Sequence, residues 1–465
     1  MASRSRPLEW ITAVAVVVVL AAGVTVAVVR SGEDDIPSEW DARVLDLVHF
    51  VERERGAVFD HPVPVDFLTP EEYSDRTRTD EGSLTDEEVE EIEQFEGELR
   101  ALGILSGDTS LIDATNDLTD TGTLAYYDSG EERVVVRGTE VTPGLAVTLV
   151  HELTHALQDQ VFAIDRYREA DEEPTSGQTF AFDSLVEGDA DRIDQLYTAS
   201  LDQATQDAID AENEAGYEEY LDATGDVPVA LDVLFGALYG LGDSFVAFLE
   251  SAGETVDGAF ADPPVTEEQV FDPFAYLDGD DPVAVDVPDT GGEEAFDDGD
   301  FGAVSLMVVL AERIEPRQAL AAATGWGGDA YVVFPRDGRT CIRVDVTGDS
   351  PTETDELADA LADWVAAAPG SAATTSRTGD LVHLESCDPG VGAAEEGTGG
   401  SALALDLAVA RSYVAADALE DGADPDAARC FASALVEQLT DDELADESPT
   451  PAVRSKVLAI IEECG

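Results

Sequence analysis

The run Val150-His151-Glu152-Leu153-Thr154-His155 holds the residues of this 465-residue chain best suited to chemistry. An H-E-x-x-H pentad on a helix puts its two histidines on one face, about 6 Å apart along the axis. Two imidazole nitrogens can then meet one Zn²⁺, and the glutamate between them can activate a water at the metal. The chain has five histidines, and two fall in this pentad. Two histidines leave a zinc site short of a protein ligand. A structural site wants two more, whereas a catalytic site wants one more and a water. After His155 the chain runs Ala-Leu-Gln-Asp-Gln-Val, and the next histidine is the distant His383. A carboxylate is therefore expected, and Glu187 is the best candidate. It sits among Phe182, Leu185, Val186, Ala190 and Ile193, an apolar helical face on which an unpaired carboxylate is costly. Asp191, one turn on, can accept the free N–H of a ligating histidine. With 102 Asp and Glu in the chain, an E-x-x-x-D pair means little except in that position. The plain alternatives are two ordinary helix histidines and a solvated or salt-bridged carboxylate.

The elements around the pentad can position it. Thr142 suits an N-cap and Pro143 the first helical position. Leu145, Leu149, Leu153 and Leu157 recur at i+4, and Val147 and Val150 widen the stripe, so a largely buried helix is expected. Upstream, Leu124–Tyr127 and Val134–Arg137 read as strands joined through Asp128-Ser-Gly130. An edge strand beside such a helix can pair with an extended peptide.

Thr148-Leu-Val-His-Glu-Leu-Thr-His-Ala-Leu-Gln-Asp-Gln160, followed by Leu185-Val-Glu-Gly-Asp-Ala190, resembles secreted or membrane-anchored zinc metallopeptidases of the gluzincin type. Glu52-Arg-Glu-Arg-Gly56, Pro62–Phe67, Gly122–Asp128, Tyr239–Val246, Pro263–Val270 and Gly325–Asp329 look like further landmarks of that family. The likeness runs from about Trp40 to about Trp364 and extends to halophilic archaeal cell-surface proteins of unassigned function. It implies a zincin-like core, with His151, His155 and Glu187 as zinc ligands and Glu152 as catalytic base. One departure is that a His-Pro pair is expected after Glu268-Gln-Val270, where this chain carries Phe271-Asp272-Pro273.

Composition bounds the setting. The formal net charge is −78, and Lys456 is the only lysine. Such an acid excess repels itself in dilute buffer, but at molar salt the screening length falls to about 3 Å. A halophilic protein is expected, with nucleic acid excluded as a partner. The 44% hydrophobic content argues against disorder. Residues 11–29 carry no charge, follow Arg4 and Arg6, and precede Glu33, Asp34 and Asp35. They read as a transmembrane signal-anchor over 8–30, with a cytoplasmic tail at 1–7 and the bulk outside the cell. Cleavage as a signal peptide is the rival reading. The four cysteines all lie in the last third, and sequence proximity suggests Cys341–Cys387 and Cys430–Cys464, one of three pairings.

The fold class read from these patterns is α+β, a mostly helical core with a small sheet and a C-terminal helical segment containing a disulfide. A linker at 31–39 leads to a catalytic domain at 40–285. An acidic loop at 286–300 precedes an α+β unit at 301–389, a Gly-rich linker at 390–401 and a small helical domain at 402–465. Within these, 165–178 reads as a loop, 195–223 as one helix, 261–272 as extended and 304–323 as one helix. His49, His61 and His383 read as structural, and Trp326 as a packing residue. No G-x-S-x-G frames a serine nucleophile. The leading expectation is a membrane-anchored zinc metallopeptidase acting on peptides or proteins. Tyr126, Tyr127, Tyr239 and Tyr276 are open as oxyanion stabilisers. The rivals are a non-catalytic surface protein on the same fold and a partner-binding domain that uses the strand edge.

Overall fold

The computed structural model describes residues 37–164, 175–369, 372–392, 397–445 and 449–465. The expected anchor and its tail, and most of the 165–178 loop, lie outside the described residues. The first half runs α1 (Leu45–Arg55), β1 (Val65–Leu68), α2 (Pro70–Thr77), α3 (Asp86–Leu102), α4 (Leu111–Gly122), β2 (Ala125–Asp128), β3 (Arg133–Arg137), α5 (Pro143–Phe162), α6 (Ser176–Ser200), α7 (Gln203–Ala223) and α8 (Val229–Ala252). β3 is the middle strand of a small sheet, parallel to β1 and antiparallel to β2. Both of its faces are covered, so Val134, Val135 and Val136 are all buried.

The pentad helix forms as its ends and stripe dictate. Thr142 caps α5 by accepting from the Leu145 N–H. Glu212 of α7 adds a carboxylate there, accepting from Thr142 Oγ1 at 2.7 Å and from the Gly144 N–H at 2.9 Å. Asp300 does the same for α6, accepting from the Ser176 N–H at 3.0 Å and the Gly177 N–H at 2.9 Å. A negative group at a helix N-terminus satisfies free N–H donors and complements the dipole. Leu145, Leu149, Leu153 and Leu157 share a core with Val44, which precedes α1, with Val48 and Val51 of α1 and with Val134 and Val136 of β3. Phe182, Leu185 and Val186 of α6 belong instead to the principal core with Leu241 and Phe245 of α8. α6 thus lies between two cores, with Glu187 on it.

α6 and α8 touch backbone to backbone. A Cβ on Gly188 would stand 2.1 Å from the Gly242 carbonyl oxygen, and one on Gly242 would stand 2.2 Å from that of Ser184. Only glycine permits this approach.

The second half contains α9 (Val256–Ala261), α10 (Glu267–Phe271), α11 (Pro273–Asp278), β4 (Asp297–Gly299), α12 (Ala303–Ala311), α13 (Pro316–Thr324), β5 (Trp326–Arg336), β6 (Arg339–Gly348), α14 (Pro351–Ala367), β7 (Ala373–Thr378), β8 (Leu381–Cys387), α15 (Gly400–Glu420), α16 (Pro425–Gln438), α17 (Asp441–Leu444) and α18 (Pro451–Cys464). The strands form an antiparallel sheet in the order β4-β5-β6-β8-β7. Asp337 (φ 53°) and Gly338 (φ 76°) make the two-residue β5–β6 turn, whose positive φ pair suits the strand twist. Both expected disulfides are formed, Cys341–Cys387 across β6 and β8 and Cys430–Cys464 between α16 and α18.

The chain is thus a mixed α+β protein, mainly helical, with small sheets. Several expectations are corrected. Residues 195–223 are two helices, because Asp202 caps a new one with N–H bonds from Ala204 and Thr205. Residues 304–323 are also two, broken before Pro316, which cannot continue a helix and starts α13. The 261–272 stretch contains the helix α10, capped by Thr266. Ser176–Gln178 already belongs to α6, and the polar edge strand β7 adds to the expected strands. The 402–465 segment is not a separate helical domain. α15 buries Ala404, Leu405, Leu407 and Ala408 in the same core as Leu241 of α8 and Met307 of α12. Among the described residues α8 is the one helix long and apolar enough to cross a membrane, but it is mostly buried within the protein.

Candidate metal centre

The two helices bring His151, His155 and Glu187 together, with one potential ligand atom of each within 4.8 Å of the others. Glu187 Oε2 lies 3.1 Å from His151 Nε2 and 3.3 Å from His155 Nε2. A tetrahedral zinc with ligands at about 2.0–2.1 Å has ligand–ligand edges of about 3.3 Å. The spacing and the His₂Glu donor set therefore fit Zn²⁺. The three residues are 0%, 8% and 6% exposed. Burial opposes ionisation of Glu187, but the two histidines outweigh it and bring its pKa down to about 2.

Each histidine is held by its other nitrogen. His151 Nδ1 lies 3.2 Å from both Asp191 Oδ1 and Asp194 Oδ2. Burial works against a charged His151, but Asp191, Asp194 and Glu187 outweigh it and hold the pKa well above the ordinary value. Burial raises the pKa of Asp191 and of Asp194, against the pull of His151. His155 Nδ1 lies 2.9 Å from Gln158 Oε1, leaving Nε2 for the centre. Gln158 is fixed in turn, since its Nε2 donates to the Val186 carbonyl at 2.9 Å and to Asp189 Oδ2 at 3.0 Å. Asp189 is wholly buried and pairs with Arg55 of α1 at 2.7 Å and with Arg192 at 2.7 Å. A chain of contacts thus runs from α1 to the His155 ring.

Glu152 is 3% exposed. Burial raises its pKa, although His155 and His151 pull it down. The Tyr127 backbone N–H of edge strand β2 also faces its carboxylate. Of the four tyrosines open as oxyanion stabilisers, three have hydroxyls engaged elsewhere. The Tyr126 hydroxyl accepts from Arg76 at 2.8 Å, and those of Tyr127 and Tyr276 donate to Asp159 at 2.9 Å and to the Asp262 carbonyl at 2.8 Å. Tyr239 of α8 faces the centre. Burial, then the carboxylates of Glu187 and Glu152, push its pKa well above the ordinary value.

The structure therefore brings together His151, Glu152, His155, Glu187 and Asp191, with Tyr239 beside them. Sequence reasoning misses Asp194, Gln158 and Arg55. The first two carried a signal, lying three residues after Asp191 and His155 on the same helix faces. Arg55 carried none beyond its place in Glu52-Arg-Glu-Arg-Gly56. Asp272 caps α11, accepting from the Phe274 N–H at 3.3 Å, and faces Arg411. His49 is exposed, His61 lies by the Pro62 carbonyl, and His383 pairs with Asp345 across β8 and β6.

Residues 292–393 match a domain family described only as a domain of unknown function, DUF8575. The match spans the five-stranded sheet with α12–α14 and leaves the candidate centre outside it. No curated protein and no solved structure matches this chain.

Proposed function

We propose that the chain is a membrane-anchored extracellular zinc metallopeptidase of the gluzincin type, with a zincin-like core formed by the small sheet, α5 and α6. The observation that carries this reading is the convergence of His151, His155 and Glu187 beside a buried Glu152. A structural zinc site has no use for that glutamate. When bound, Zn²⁺ would supply Lewis acidity and lower the pKa of a water towards about 7.

The remaining steps belong to the protein. Glu152 accepts the proton of the attacking water and returns it to the leaving amine. Tyr239 donates a hydrogen bond to the oxyanion that develops on the scissile carbonyl. Asp191, Asp194 and Gln158 hold the imidazoles in the orientation ligation requires. The peptide binds in extended form beside β2, an edge strand of the small sheet. The 8–30 segment, free of charge over residues 11–29, anchors the chain with its N-terminus in the cytoplasm. The acidic ectodomain works at high salt.

The test is hydrolysis of a peptide library by the full-length protein in molar KCl. Cleavage should disappear on chelation and return with zinc. Persistent cleavage in a zinc-free sample would refute the proposal.

A further inference from the structure

A neutral imidazole ligates through one nitrogen only, so its proton must be kept on the other. For His155 the choice is made by its neighbours. Its Nδ1 lies 2.9 Å from Gln158 Oε1. A side-chain amide fits such a contact either way round, with its oxygen accepting or its nitrogen donating. Here one way is closed. The nitrogen end of the Gln158 amide meets the Val186 carbonyl oxygen at 2.9 Å and Asp189 Oδ2 at 3.0 Å, and both act as acceptors. Turned over, the amide would press its oxygen against both of them. Gln158 is buried and Asp189 wholly so, which makes unmatched polar atoms costly there. Nε2 of Gln158 therefore faces Asp189, Oε1 faces His155, and the His155 proton sits on Nδ1. His155 Nε2 is left with its lone pair on the side of Glu187, whose Oε2 is 3.3 Å away.

Asp189 imposes this because it serves only as an acceptor. Arg55 Nε donates to its Oδ2 at 2.7 Å and Arg192 Nη2 to its Oδ1 at 2.7 Å. The two cations are not alike. Arg192 lies three residues on along α6, with a side chain 19% exposed. Arg55 comes from α1, 134 residues away in the chain, with a side chain 6% exposed. It also donates to the same oxygen that receives the Gln158 amide. Its guanidinium carbon lies 5.1 Å from the ring centre of Phe162 at the end of α5 and 5.7 Å from that of Phe260 in α9. Its Nη1 donates to Asp257 Oδ1 of α9 at 2.6 Å. Arg55 is thus held in place by α5, α6 and α9 together.

We propose that Arg55 is a positioning residue for the candidate zinc centre, acting through Asp189 and Gln158 on the tautomer of His155. The inference rests on the zinc reading above. Without Arg55, Asp189 keeps one guanidinium, that of Arg192, and a buried carboxylate turns towards the cation it retains. Gln158 then loses the acceptor that fixed its amide. The His155 proton is free to sit on either nitrogen, and part of the population presents an N–H to the metal.

The test is a double-mutant cycle on zinc affinity. Full-length wild type, Arg55→Met, Gln158→Ala and the double variant are compared in molar KCl by competition with a chelating dye. Denaturant unfolding of the zinc-free proteins is measured alongside. Arg55→Met should weaken zinc binding by about 10-fold when Gln158 is present. In the Gln158→Ala background, where the link is already cut, it should change zinc binding by less than about 2-fold. Arg55→Lys, which keeps a donor for Asp189, should recover part of the affinity. Equal fold losses in the two backgrounds would overturn the proposal and leave Arg55 a structural ion pair. Unchanged zinc affinity in Arg55→Met, with only a loss of unfolding stability, would overturn it as well. If Arg55→Met does not fold, Arg55→Lys takes its place in the cycle under the same criterion. A wild type that binds no zinc would overturn the zinc reading itself, an outcome seen before any variant is compared.

Discussion

Replacing Gly188 with alanine perturbs the candidate centre without touching any atom in it. The added Cβ would lie 2.1 Å from the Gly242 carbonyl oxygen and 2.9 Å from Val246 Cγ2. The first obstacle is backbone, so α6 and α8 must part by about 1 Å at their crossing. Overpacking of this kind costs about 1–3 kcal/mol, while alanine regains about 1 kcal/mol of helix propensity over glycine. A net loss of about 1 kcal/mol is expected. The same movement separates Glu187 on α6 from Tyr239 on α8. A misplacement of about 1 Å in a reacting constellation costs on the order of 10²-fold in rate. Denaturant unfolding gives the stability change, and peptide cleavage with zinc quantified in the same sample gives the functional one. Gly242→Ala should behave alike, since its Cβ meets the Ser184 carbonyl oxygen at 2.2 Å. Stability within about 0.5 kcal/mol of wild type, with unchanged kcat/KM, would refute the argument that this contact sets the site.

Other outcomes follow from the same geometry. Gln158→Ala leaves His155 Nδ1 without its partner and should weaken zinc affinity about 10–100-fold, read by competition with a chelating dye. Tyr239→Phe should keep zinc and lower kcat by about 10²–10³-fold, with a smaller change in KM. Glu98 is buried, and burial followed by Asp297 raises its pKa from 4.5 to about 8. The folded state then holds a proton that the unfolded state releases, so this stability is full below pH 4.5 and declines as pH rises to about 8. Glu98→Gln should flatten that decline in denaturant titrations between those limits.

What the sequence made legible was local. The pentad helix declares itself through Thr142-Pro143 and the leucine stripe, and both act within a few residues. Glu187 is readable because a carboxylate amid apolar residues demands a partner. Asp194 and Gln158 are obscured in an acid-rich chain, where suitable spacings recur by chance. Arg55 is invisible because its role depends on α1 packing against α6, a contact between distant parts of the chain. The split at Pro316 is chemically plain, but an apolar run continues across it. β7 lies at a sheet edge, and its Ala-Thr-Thr-Ser-Arg-Thr sequence lacks the alternation that one buried face would impose. The placement of α15 is a tertiary matter, because its small apolar residues serve a bundle or the main core equally well. The glycines of Glu187-Gly188 and Gly240-Leu-Gly242 acquire their meaning only when the two helices are seen to cross.

The central claim is that Glu152 moves a proton at a zinc held by His151, His155 and Glu187. The most direct measurement compares peptide cleavage by the full-length wild type and Glu152→Gln in molar KCl, with zinc determined in both. The account predicts one zinc per chain in each protein, cleavage by wild type, and a loss of turnover of several orders of magnitude in the variant. Comparable cleavage by the variant, or a folded wild type that takes up no zinc, would contradict it.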